Sequence, residues 1–226
     1  MQNSEDEIFN SSDNINLQNT NNNNYSYYQK LMKMSYQELV SFLQQKYGKV
    51  NGDYFLDKEC KKQNCSIKKG SEGLFIHHID EDKAIMLAVS EYAINNPFDY
   101  QKANRLVYCN LLEHYLLHIL IYEEQKPENA NQKEKQGLGG AINYICIELN
   151  NCYGGYNYKR EFSKVAKSLI INDYDSYVLM AKRLWHDIKN DNMLSTDRKK
   201  VALIKLVINK NKDVDKNLFS ELAKVD

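Results

Sequence analysis

The sequence predicts a mainly α chain with one small strand-strand-helix element embedded in a helical domain. Three observations carry that expectation. Helical patterns fill most of the chain after residue 25; only two short apolar runs, Leu74-Phe75-Ile76 and Leu106-Val107-Tyr108-Cys109, have the length and flanks of strands; and the second run leads straight into a capped helix. With 226 residues, 42% hydrophobic and 27% charged, the chain has an ordinary globular composition and suffices for one well-packed domain, or for a small domain with an appended helical part. Its longest apolar runs, such as Ala84 to Val89, fall far short of the roughly 20 residues that a membrane span needs, so no membrane partner is expected.

In chain order, residues 1–24 are Asn-, Asp- and Ser-rich with few large apolar side chains, and are expected to form a disordered tail. Ser35-Tyr36-Gln37-Glu38 supplies a capping box, and Leu39, Leu43 and Tyr47 then recur at four-residue spacing up to Gly48, which predicts an amphipathic helix. Asn51-Gly52-Asp53 reads as a turn, Tyr54-Phe55 as a short extended piece, and Lys58 to Ser71 as a basic loop region. After the first strand candidate, an acidic opening (Asp80, Glu81, Asp82) leads to one helix expected within Ala84 to Asn95, ended by Asn96-Pro97. The second strand candidate follows. Asn110 with Glu113 then starts a helix over Leu111 to Tyr122 that is apolar nearly all round, as a helix buried on most sides must be. Further helices are expected at about 139–152, 160–171, 173–190, 196–209 and 217–224. The expected organisation is therefore a tail (1–24), a unit carrying the two strands (25–125), and a helical C-terminal region packed on it (126–226).

The N-terminus lacks the basic and apolar regions of a secretory signal, and five cysteines, an odd number scattered through apolar surroundings, fit reduced thiols better than disulfides. A cytoplasmic setting follows as the expectation. Cys60 and Cys65 have no second pair at ligand spacing, which argues against a structural zinc clip. Formal net charge is zero, yet Lys182, Arg183, Lys189, Arg198, Lys199, Lys200, Lys205, Lys210 and Lys212 face only Asp187, Asp191 and Asp197 in their stretch. Such a basic stretch has two readings, a solvated helix face or a surface that tracks phosphates.

Four of the five histidines are His77, His78, His114 and His118. His77 and His78 end the first strand candidate, where neighbours point to opposite sides, so one imidazole can serve a metal while the other faces a different target. His114 and His118 lie four apart on a helix and share one face, a common spacing for paired ligands of a divalent ion. The fifth, His186, beside Trp185, reads as structural or exposed.

His77-His78-Ile79, then Leu106-Val107-Tyr108, then Glu113-His114-Tyr115-Leu116-Leu117-His118 resembles the HNH endonucleases, the ββα-metal nucleases, in their phage and mobile-element type. The resemblance covers about 45 residues, from 74 to 118. It implies an HNH-like element and a hydrolytic enzyme that cuts phosphodiester bonds with one divalent metal ion (Mg2+, Mn2+ or Zn2+). Nucleic acid is the implied partner, DNA ahead of RNA. His77 corresponds to a metal ligand, His78 to the general base that activates water, His114 to the helix ligand, and His118 to a second ligand or a phosphate contact. The family's Asn, which orients the base, normally precedes the Leu of the second strand; here Arg105 stands there. Asn104 is the expected substitute, with Asn110 more plausible as a helix cap and a backbone carbonyl as a further possibility. Arg105 either clamps a substrate phosphate or pairs with the acidic stretch after His78. The alternative reading is a degenerate HNH-like module that binds nucleic acid or a protein partner without cutting.

Overall fold

A computed structural model describes residues 25–125 and 136–225; the expected tail, 1–24, lies outside them. The described chain is mainly helical with one two-stranded sheet. Residues 25–31 form α1. Helix α2, Tyr36–Tyr47, starts at the expected capping box: the Ser35 side chain accepts from the Glu38 N–H, and Glu38 accepts from the Ser35 N–H at 2.8 Å. Strand β1, Phe75–His78, runs antiparallel to β2, Leu106–Cys109. Between them, the helix expected within Ala84 to Asn95 is a single turn, α3 (Ser90–Ala93), flanked by 3-10 turns at Ile79–Asp82, Phe98–Gln101 and Ala103–Arg105.

Helix α4, Leu111–Glu123, follows β2 directly and is capped as expected, with the Asn110 side chain accepting from Glu113 N–H at 2.9 Å. From Leu111 to Tyr122 every residue but His114 is buried, so the uniformly apolar pattern does mark a helix enclosed on most sides. Full burial of each Leu or Ile here contributes roughly 1.5–3 kcal/mol. Helices α5 (Leu138–Gly140) and α6 (Cys146–Tyr153) are joined without a break by a π-helical turn over Ala141–Ile145. Then come α7 (Glu161–Ser168), α8 (Tyr174–Asn190), α9 (Thr196–Val207) and α10 (Lys216–Ala223), each within a few residues of its expected range. No described helix is long and apolar enough to cross a membrane.

The sheet divides two cores. Alternation along β2 sends Val107 and Cys109 into the main core, shared with α2, α4, α6, α8, α9 and α10, and sends Leu106 and Tyr108 into a smaller core with Val50, Phe55, Ile67 and Leu74. His77 is paired with Val107 and His78 with Leu106. Directly paired residues share a face, so the two adjacent histidines are directed to opposite sides, His77 toward α4.

Candidate metal centre

Strand β1 and helix α4 bring His77, His114 and His118 into a triangle, with ring centroids 5.2, 5.2 and 5.0 Å apart. Glu81 joins them. It lies on the 3-10 turn that follows β1, four residues after His77, and one ligand atom from each of the four residues lies within 4.8 Å of every other. Its Oε2 is 3.5 Å from His77 Nδ1 and 3.2 Å from His118 Nε2. Glu81 was not among the expected site residues, which considered the acidic stretch only as a partner for Arg105; the His77-x-x-x-Glu81 spacing is the signal that could have found it.

Hydrogen bonds assign the tautomer of His77. The Tyr36 hydroxyl donates to Ile79 O at 2.8 Å and lies 2.9 Å from His77 Nε2, so Nε2 carries the proton and Nδ1 presents its lone pair to the cluster. Among the described residues, Nδ1 of His77, His114 and His118 is in each case buried without a hydrogen-bond partner. Burial pushes His77 well below the ordinary histidine value and His114 down to about 3, the neighbouring His118 adding to the effect on His114. Burial alone would raise the Glu81 carboxyl, but the hydrogen bond from His118 and the proximity of His77 and His118 outweigh it and hold the carboxyl well below the carboxylate range. His77 and His114, held neutral by burial, stand with His118 around one carboxylate, and three ring nitrogens lack hydrogen-bond partners among the described residues. That donor chemistry fits a divalent metal ion, and the cluster could hold one.

Glycines let a second segment close against this cluster. Gly137 adopts φ 80°, and a Cβ there would overlap the His118 carbonyl oxygen; a Cβ on Gly140 would overlap the His118 ring.

His78 is 1% exposed and directed into the smaller core, its ring 4.5 Å from that of Tyr54. Its Nε2 lies 3.0 Å from Gln101 Oε1, and Gln101 Nε2 donates to Leu87 O at 3.1 Å. That fixes the amide orientation, so His78 Nε2 is the donor and Nδ1 the acceptor, 4.0 Å from Glu81 Oε1. Burial lowers the His78 pKa, opposed by Glu81 and by Gln101.

One expectation is corrected here, and one open choice is narrowed. Asn104 is exposed on the Ala103–Arg105 turn, and the residue that holds the His78 ring is Gln101, because the 3-10 turn rather than a regular strand precedes Leu106. Of the two readings of Arg105, the structure shows the pairing with the acidic stretch: its Nε and Nη2 donate to Asp80 at 2.6 and 2.5 Å. Asn110 serves as the α4 cap. His186 is exposed beside Asp187.

Much of the basic C-terminal stretch is likewise engaged internally. Arg183 makes a bidentate pair with Glu123 and donates to Met32 O, Lys182 pairs with Glu221, and Lys199 donates to Lys189 O. Cys60 is buried and Cys65 exposed, and neither belongs to the metal-competent group.

Comparison of the chain with protein-family models, with curated proteins and with solved structures finds no match.

Proposed function

We propose that the chain is a metal-dependent endonuclease of the HNH type that hydrolyses phosphodiester bonds, in DNA in preference to RNA. The observation that carries this reading is the pairing of a three-histidine, one-glutamate cluster with a neighbouring imidazole, His78, whose acceptor nitrogen is turned toward Glu81 and whose other nitrogen is tied to Gln101. A bound divalent ion supplies charge stabilisation at the phosphoryl oxygens and the leaving 3′-oxygen. His77, His114, His118 and Glu81 would hold it; imidazole-rich donors favour Zn2+ over Mn2+ or Mg2+. His78 Nδ1 accepts the proton of the attacking water, and the lowered pKa keeps that nitrogen free at neutral pH. Gln101 holds the ring in the required tautomer.

Two observations favour the second reading, a module that binds without cutting: His78 is almost fully enclosed, and Arg105 is committed to Asp80. The deciding experiment uses the full chain stripped with EDTA and restored with Zn2+, Mn2+ or Mg2+ in turn, scoring nicking of supercoiled plasmid beside bound metal. Nicking that follows metal occupancy is the expected result. Stoichiometric metal without nicking of DNA or RNA would establish the non-cutting module.

A further inference from the structure

A cleft of about 400 Å³ opens beside the His/Glu cluster, between the Ile85–Val89 loop and the Gly137–Ile145 segment. Its volume is that of a small-molecule site. Glu81, His114 and His118 belong both to the cluster and to the cleft lining, so a substrate held at the cluster places the group flanking its reacting bond in this cleft. The remaining walls are apolar. Ile85, Met86, Val89 and Ile145 form most of them, Tyr144 contributes a ring whose residue is 61% exposed, and the polar side chains are Gln136 and Asn143, whose Oδ1 accepts from Lys205 Nζ and whose amide N–H groups face no such donor. Among the described residues, no Lys or Arg lines the cleft. Met86 is held at φ 56°, a left-handed conformation uncommon for a side-chain-bearing residue and concentrated at ligand clamps.

Among the parts of a nucleic acid, a phosphate asks for cations that the described lining lacks, and a paired base offers only its edges because its faces are covered by the stack. An unpaired base offers an apolar face to an exposed aromatic ring and an edge to an amide. We propose that the cleft takes an unpaired nucleobase next to the scissile phosphate, so that the chain cuts single-stranded or locally unpaired DNA in preference to continuous duplex. This inference rests on the nuclease reading above.

The test titrates the full chain with an oligonucleotide carrying 2-aminopurine, single-stranded or annealed in a duplex, both in EDTA and, to prevent cutting, as His78→Ala with Zn2+. The emission of the single strand is expected to change on binding and that of the duplex to stay constant. Tyr144→Ala should weaken single-strand binding by roughly 5- to 100-fold, the range for loss of one stacked base, while Tyr144→Phe keeps it. Ala88→Trp, placed at an exposed position of the lining, should fill the cleft and weaken binding with metal content unchanged. In the cutting assay the preference for single strand over duplex should then collapse toward one in Tyr144→Ala. Equal binding and cutting of the two forms, with Tyr144→Ala and Ala88→Trp both silent, overturns the base site and leaves the nuclease reading standing. A base-dependent emission change without any cutting upholds the base site and overturns the nuclease reading.

Discussion

Helix α4 carries two buried polar sites, and they differ in whether the protein completes them. Glu113 is 0% exposed. Its Oε1 accepts from Tyr27 Oη at 2.6 Å, Lys46 Nζ at 2.7 Å and Tyr47 Oη at 3.1 Å, and its Oε2 accepts from the Asn110 N–H at 2.8 Å. Its charge is matched by Lys46 and its oxygens are satisfied, so this site ties α1 and α2 to the start of α4. One residue further on, His114 begins a site with the opposite balance: among the described residues no Lys or Arg pairs with the Glu81 carboxylate, and three ring nitrogens lack hydrogen-bond partners. A buried charge is tolerated when it is paired and hydrogen-bonded. The closed site therefore stabilises the fold by itself, whereas the open one has the donors that could hold a cation supplied from outside.

The largest expected effect lies on the open side. His78→Ala should retain the fold and the bound metal yet lose about 10²–10⁴-fold in cutting, as removal of a general base does. Metal content, melting temperature and nicking rate measured on one preparation check this; loss of metal in His78→Ala with retention in His77→Ala would exchange the two roles. On the closed side, Glu113→Ala should leave metal affinity nearly unchanged while lowering stability by about 3 kcal/mol, the cost of breaking a buried pair. Urea unfolding of the metal-free proteins reads it, and a loss below 1 kcal/mol would show that the tyrosines and Lys46 find other partners.

Metal addition separates the sites directly. A ligand at a hundredfold excess over its Kd stabilises the folded state by about 2.7 kcal/mol. Zn2+ should therefore raise the melting temperature of the wild type and of Glu113→Gln, and fail to do so in His114→Ala. Equal shifts in all three proteins would place the bound ion somewhere other than this cluster.

What the sequence made legible follows the range of the interactions involved. The strands, α2 and α4 were readable because capping boxes and apolar periodicity act over a few residues, as the Ser35–Glu38 and Asn110–Glu113 pairs show. His77, His114 and His118 were readable because strand alternation and the four-residue helical spacing fix where their side chains go. Glu81 and Gln101 were not, since both stand on short 3-10 turns where neither period applies and only tertiary approach brings them to the histidines. For the same reason Ala84 to Val89 reads as the start of a helix but forms a cleft wall, with Leu87 buried and its carbonyl held by Gln101.

The smallest expected effect sharpens the assignment of Gln101. A residue that orients a functional imidazole without touching substrate typically contributes 10- to 100-fold when removed. Gln101→Ala should reduce the turnover number by that factor with little change in KM, because the His78 ring loses its acceptor while the metal ligands keep theirs. Gln101→Glu retains an acceptor at the same position and should recover part of the rate. Asn104→Ala, on the exposed turn three residues later, should change neither constant. A simple packing role for Gln101 would lower stability in both Gln101 variants without splitting them in turnover, whereas a measurable rate loss in Asn104→Ala would return the orienting role to Asn104, the substitute expected from the sequence.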